Sequence, residues 1–180
     1  MNANTIAGLS AFAAAAAACA RVSLRSDRSA VLWRTLAVLH ASLALEILMN
    51  LRYGLRAAII PLLQERGWYP SRTAWQEASI VLALLVGTAL AVWLWRRHRG
   101  DGAARGAILG TALALLLLFV ETISLHSVDA LMYAEAGPLV RLAWAWIGTA
   151  AIVIASALAA SPDRSRSPAG TRARAAGGDG

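Results

Sequence analysis

Five stretches of the chain are almost continuously apolar, and most polar residues lie in the segments between them. The stretches run roughly over Thr5–Ala20, Ala30–Leu51, Ala78–Trp95, Ala107–Leu125 and Leu139–Ala160. A bilayer core of about 30 Å requires about 20 helical residues, because each adds about 1.5 Å. The pattern therefore predicts an all-α fold, an integral membrane helical bundle with five transmembrane helices.

The first stretch is the weakest of the five. Ala13–Ala18 is a run of alanines, which favours a helix strongly but is only mildly apolar. The alternative is four transmembrane helices with a peripheral N-terminal helix. A secretory signal is not expected, since Arg21 follows the apolar stretch and no arginine precedes it.

Composition favours a single membrane domain. Hydrophobic residues make up 58% of the chain and charged residues 15%, below the roughly 25% of soluble domains. We expect one helical transmembrane domain over residues 1–160 and a disordered tail over 161–180, which is rich in Arg, Ser, Pro and Gly. All basic residues are arginine, and with the abundance of alanine this indicates a GC-rich bacterial genome.

The arginines predict the orientation, because positive residues near transmembrane ends stay in the cytoplasm. The first and third connections and the tail are arginine-rich, whereas the fourth connection, His126–Pro138, has none. The N-terminus is then outside and the C-terminus cytoplasmic in a bacterial inner membrane. These arginines act as topology signals, so no nucleic acid is expected as a partner.

The second connection opposes this rule with four arginines on the outer side. Arg52–Leu63 is predicted to be a short interfacial helix whose arginines reach lipid phosphates, and Pro61 alone interrupts the apolar residues of Ala57–Leu63. Trp68 and Tyr69 follow in a turn as interfacial aromatic residues.

Polar residues gather at the same end, where the second and fourth predicted transmembrane helices finish and the third and fifth begin. Both glutamates within these helices, Glu46 and Glu121, must be protonated, paired or coordinated at this depth. We expect Glu121 to pair with Arg141, and Glu46 with Arg52 or Arg141. The residues assigned to this ligand-binding or ion-pair network are Glu46, Asn50, Arg52, Trp68, Tyr69, Gln76, Glu77, Ser124 and Arg141.

Three chemical interpretations of this end remain open. The polar residues could form a network that locks the bundle, or His126 and Asp129 could handle protons beside Glu121 and Arg72 as catalytic residues. A divalent metal held by His126, Asp129 and a glutamate is weaker, since only one histidine lies at this level. Haem is not expected, because no two histidines share a depth. His40, in the middle of its helix, is predicted to bond to a backbone carbonyl or Ser42.

Small residues spaced four apart predict close helix packing. Gly106, Gly110 and Ala114 form one such stripe, and Ala83, Gly87 and Ala91 form another. The short connection between these two helices makes them antiparallel neighbours. Ala151, Ala155 and Ala159 form a third stripe on the last helix.

Two motifs give a resemblance. Gly67-Trp68-Tyr69-Pro-Ser-Arg72 followed by Gln76, and Glu121-Thr-Ile-Ser124-Leu-His126-Ser-Val-Asp129, resemble motifs of a group of uncharacterised small bacterial multi-pass inner-membrane proteins. The resemblance covers the second to fifth apolar stretches. It implies that the two motifs form a common feature, and it implies no activity.

The sequence leads to three functional hypotheses. The first is a small multi-pass membrane protein whose outer polar pocket binds a lipid, quinone-like or ionic ligand, or docks a membrane partner. The second is a membrane-embedded enzyme that uses the His/Asp/Glu site, and the third is a transporter subunit. Membrane lipid is the expected partner, together with another membrane protein or a second copy of the chain.

Overall fold

The computed structural model describes residues 1–25, 29–68, 72–123 and 130–160. The fold is all-α, as predicted, with a two-residue strand pair between the last two long helices. The elements are α1 (Ala3–Ser23), α2 (Ala30–Met49), α3 (Leu51–Glu65), α4 (Arg72–Arg97), α5 (Gly102–Ile123), β1 (Glu135–Ala136), β2 (Leu139–Val140) and α6 (Arg141–Ala159).

Five helices in the described part of the chain are long and apolar enough to cross a membrane. They are Ala3–Ser23, Ala30–Met49, Glu77–Arg97, Gly102–Thr122 and Arg141–Ala159. Each of them overlaps one of the five stretches predicted from the sequence, with ends shifted by a few residues. Their length and composition are compatible with a membrane protein.

The first helix is a full member of the bundle rather than a peripheral one. α1 packs against both α2 and α6, and it buries Phe12, Ala15 and Cys19 in the core. Gly8 allows this close approach, because a Cβ at that position would collide with the indole of Trp146. The alternative of four core helices with a peripheral α1 therefore does not describe the packing of this structure.

The second apolar stretch ends two residues earlier than predicted and is followed by a separate helix. Asn50 ends α2 and begins α3 with φ 51° and ψ 41°, a left-handed conformation that asparagine tolerates better than most residues. α3 contains Pro61 within its length, as the sequence led us to expect. α3 ends at Glu65, and Gly67 follows with φ 67° while Trp68 N–H donates to the Leu63 carbonyl at 2.9 Å.

The last helix begins at Arg141, not at Leu139 as predicted. Leu139 and Val140 instead form β2, which pairs antiparallel with β1 across Gly137 and Pro138. Gly137 has φ 72°, which glycine adopts without a Cβ penalty. Asn4 Oδ1 accepts a hydrogen bond from Val140 N–H at 3.0 Å, so this hairpin is tied to the start of α1.

Gly106 and Gly110 of α5 pack against α6 rather than against α4. A Cβ on Gly110 would lie 2.7 Å from Val153 Cγ2 and 3.0 Å from the Thr149 carbonyl oxygen. α4 is a neighbour of α5, as predicted from their short connection. A Cβ on Gly87 of α4, however, would meet nothing within 4 Å.

The bundle has two ends that differ in their polar groups. The Arg52 end is where α2 and α5 finish and where α1, α4 and α6 begin. The Arg105 end is the opposite one, where α4 finishes and α5 begins. These two names are used below.

Candidate functional site

The Arg52 end contains a compact cluster of ionisable side chains contributed by four segments. Arg52 Nη1 lies 2.5 Å from Glu121 Oε2 and 3.5 Å from Glu46 Oε2. Tyr133 donates its hydroxyl proton to Glu121 Oε1 at 2.8 Å. We call Glu46, Arg52, Glu121 and Tyr133 the Arg52 cluster.

The left-handed turn at Asn50 brings Arg52, in α3, back over the end of α2. The chain leaves α2 one turn after Glu46 and re-enters helix at Leu51. As a result, Glu46 Oε1 accepts a hydrogen bond from the backbone N–H of Arg52 at 3.4 Å. A carboxylate is favourable there because the first N–H groups of α3 have no partner within their helix.

The three charged side chains of the cluster are largely removed from solvent, whereas Tyr133 is exposed. The side chain of Arg52 is 9% exposed, that of Glu121 2% and that of Glu46 12%. The guanidinium also lies over the indole of Trp146, 5.7 Å from the ring centroid. A cation over an aromatic face is attracted by the ring quadrupole, so Trp146 adds to the forces that hold Arg52.

One oxygen of the cluster has no hydrogen bond. Glu46 Oε2 is buried and has no hydrogen-bond partner among the described residues, although it lies 3.5 Å from Arg52 Nη1. A buried carboxylate oxygen without a hydrogen bond is costly, and a bound cation or hydrogen-bond donor would compensate it.

The predicted partner of Glu121 was wrong. Arg141 is exposed at the first position of α6, whereas Arg52 occupies the space between the two glutamates. The pairing of Glu46 with Arg52 is confirmed. Trp146 was missed, because the sequence places it one turn inside an apolar helix without a polar signal.

The other predicted site residues fall into three groups. Trp68 and Glu77 are exposed near the junction of α3 and α4, and Asn50 is exposed at the turn before α3. Arg72 and Gln76 lie in α4, but their side chains are outside the described part of the structure. Tyr69, Ser124, His126 and Asp129 lie outside the described residues.

A second polar contact lies in the middle of the bundle. His40 is fully buried, and its Nε2 lies 3.0 Å from Thr111 Oγ1. Because Thr111 donates its own proton to the Ala107 carbonyl, His40 Nε2 must be the donor of the pair. The partner is therefore a threonine of α5, and the expected bond to Ser42 or to a backbone carbonyl was wrong for Nε2.

Within the described ranges, no three His, Cys, Asp or Glu side chains are grouped closely enough to hold a metal ion. Since His126 and Asp129 are outside those ranges, the proposed metal site is not addressed by this observation.

Comparisons of the chain with protein-family models, with curated proteins and with solved structures found no match. Functional inference therefore starts from the Arg52 cluster itself.

Proposed function

We propose that this chain is a multi-pass membrane protein of a bacterial inner membrane, and that the Arg52 end faces outward and binds a ligand with a positive charge. The five apolar helices support the membrane location. The proposed orientation rests on the arginines of the first and third connections and of the tail. The resemblance to small bacterial membrane proteins is consistent with this proposal, since Trp68 and Glu121 of its two motifs lie at this end.

The observation that carries the proposal is the buried carboxylate oxygen Glu46 Oε2. It has no hydrogen bond within the described structure and lies 3.5 Å from Arg52 Nη1. A metal cation or the ammonium group of an amine or lipid headgroup would supply the positive charge or the donor that this oxygen lacks. A quinone-like ligand offers carbonyl acceptors and no donor to this oxygen, so an ionic ligand is favoured over it.

The enzymatic hypothesis receives less support from the same geometry. Glu121 is the proposed catalytic residue whose side chain is described, and both of its oxygens already accept hydrogen bonds from Arg52 and Tyr133. A carboxylate held in this way is a poor general base, because a proton acceptor needs a free lone pair directed at the substrate. The described part of this end offers no comparable observation in favour of a transporter subunit or of partner docking.

The test is thermal unfolding of the purified protein in neutral detergent, with ethanolamine, sodium or magnesium chloride added at matched ionic strength. A cation that binds the folded state at ten times its Kd stabilises it by about 1.4 kcal/mol. We expect at least one of these cations to raise the Tm of the wild-type protein. Glu46→Gln should abolish that rise in Tm, since it removes the negative charge of the Glu46 carboxylate while keeping the shape of the side chain.

Glu77→Gln is the matched control, because Glu77 is an exposed glutamate at the start of the neighbouring α4. This variant should respond to the cation as the wild type does. The proposal fails if none of the cations stabilises the wild-type protein. It also fails if Glu46→Gln and Glu77→Gln respond equally.

A further inference from the structure

The connection between α4 and α5 at the Arg105 end combines positive charge with exposed tryptophan. Four arginines and one aspartate lie between residues 96 and 105, a sum of +4 and −1, or +3. They are Arg96, Arg97, Arg99, Asp101 and Arg105. The Asp101 carboxylate already has one partner within the fold, since its Oδ1 accepts a hydrogen bond from Ala104 N–H at 2.9 Å in the first turn of α5.

Two of these arginines are held against indole rings. The guanidinium of Arg97 lies 5.6 Å from the ring centroid of Trp93, and that of Arg105 lies 5.1 Å from Trp95. Both tryptophans are exposed, Trp93 by 55% and Trp95 by 40%. Arg105 Nε has no hydrogen-bond partner among the described residues, so the fold does not use all of its donors.

The helix that leads into this connection offers an apolar surface. Within Glu77–Arg97 no residue is buried, and large side chains such as Leu85 and Leu90 are exposed along it. In a membrane this surface contacts acyl chains. The stacked arginines then lie where the headgroup of the same lipid would be, with the tryptophans at the boundary between chain and headgroup.

We propose that the Arg105 end of α4 and α5 is a binding site for an anionic phospholipid. The acyl chains would lie along the exposed face of α4, and the phosphate would accept hydrogen bonds from Arg97 and Arg105. Guanidinium groups suit this role because their planar set of donors matches phosphate oxygens, and stacking on indole orients them in advance. The proposal rests on the membrane location proposed above, but not on the ligand of the Arg52 cluster.

The test is the lipid composition retained by the full chain. The protein is reconstituted into nanodiscs of phosphatidylcholine with a minor fraction of phosphatidylglycerol, and retained lipids are counted by native mass spectrometry. The wild type should retain phosphatidylglycerol above its bulk fraction, by about fivefold for each arginine that contacts the headgroup. The double variant Arg97→Gln/Arg105→Gln should bring the ratio back to the bulk value.

The matched control is Arg21→Gln/Arg25→Gln. It removes the same charge at the same end of the bundle, from residues that have no tryptophan stacked on them within the described structure. This variant should keep the wild-type enrichment. An equal loss in both double variants would show diffuse surface attraction rather than a site and would overturn the proposal, as would a wild type that retains the lipids in their bulk ratio.

A measurement on the wild type alone keeps the test valid if a variant does not fold. Brominated phosphatidylglycerol should quench tryptophan emission more strongly than brominated phosphatidylcholine at equal fractions, because Trp93 and Trp95 would lie beside the bound lipid. Equal quenching by the two lipids would contradict the site. Failed incorporation into nanodiscs would instead contradict the membrane location on which the site depends.

Discussion

At the scale of single residues, Arg52 has the largest expected energetic role. It lies between two buried carboxyl groups and is held over Trp146. Arg52→Gln would remove the guanidinium that pairs with both Glu46 and Glu121, and the loss of one partner from a buried ion pair typically costs about 3–5 kcal/mol. We expect the free energy of unfolding in detergent to fall by about that amount.

Arg66→Gln serves as the comparison, since Arg66 is an exposed arginine of the same connection whose guanidinium lies 6.0 Å from the Trp68 ring centroid. Its effect should stay within about 0.5 kcal/mol. Adding Glu121→Gln to Arg52→Gln should recover part of the loss, because one buried charge is then removed. If Arg52→Gln and Arg66→Gln lower the free energy of unfolding by the same amount, the Arg52 cluster does not stabilise the bundle.

The buried pair of His40 and Thr111 gives a second prediction at this scale. Thr111→Val keeps the shape of the side chain but removes the acceptor of the His40 Nε2–H donor. A buried donor without an acceptor costs about 1–3 kcal/mol, and chemical denaturation should show a loss of that size. Thr35→Val is the control. Thr35 is exposed, and within the described structure its hydroxyl donates to the Val31 carbonyl of the same helix, so loss of this hydroxyl should change the free energy of unfolding little.

At the scale of elements, the contact between α5 and α6 depends on the absence of a side chain at Gly110. Gly110→Ala would place a Cβ 3.0 Å from the Thr149 carbonyl oxygen, a backbone atom that can move only with its helix. We expect a loss of about 1–3 kcal/mol, the usual cost of overpacking. Thermal unfolding in detergent would measure it.

Gly87→Ala provides the contrast within α4, where a Cβ would meet nothing within 4 Å. The same substitution there should be neutral or stabilising by up to about 1 kcal/mol, because alanine favours helix over glycine. A similar loss at both positions would mean that contact with lipid or detergent, rather than the packing of α5 on α6, sets the outcome.

At this scale the sequence predicted which segments are helical, but it did not predict which face of each helix packs against a neighbour. Each apolar stretch became a helix because apolar length decides that property locally. The predicted stripe Ala151, Ala155 and Ala159 is exposed, while Thr149 and Val153 of the same helix contact Gly110. Small residues recur on several faces of such helices, so spacing alone does not select the face that meets a neighbour.

At the scale of the whole molecule, the orientation can be tested by cysteine labelling in intact cells. The chain has one cysteine, Cys19, which is buried, so Cys19→Ala provides a silent background. New cysteines at Gln64 and Glu135 lie near the Arg52 end, and one at Gly100 lies at the Arg105 end. A membrane-impermeant maleimide added outside should label the first two positions, and the third only after the cells are opened.

Labelling of Gly100→Cys alone in intact cells would reverse the proposed orientation. Labelling of all three positions from one side would contradict a bundle that crosses the membrane. Either outcome leaves the helix packing unchanged, because that packing depends on contacts among the helices and not on the direction of insertion.

The sequence by itself determined the helical class, the number of long apolar helices in the described chain and the placement of Glu46, Arg52 and Glu121 at one end. The length of an apolar stretch is a local property of the sequence. Successive long helices run in opposite directions, so the end at which each residue lies also follows from its position along the chain. The tertiary structure decided that Arg52, not Arg141, compensates Glu121, that Thr111 bonds to His40, and that residues 139–140 form a strand. The first depends on the left-handed turn at Asn50 and the second on the rotation of α2 against α5. The third depends on the turn at Gly137 and on the hydrogen bond to Asn4, a residue far away in the chain.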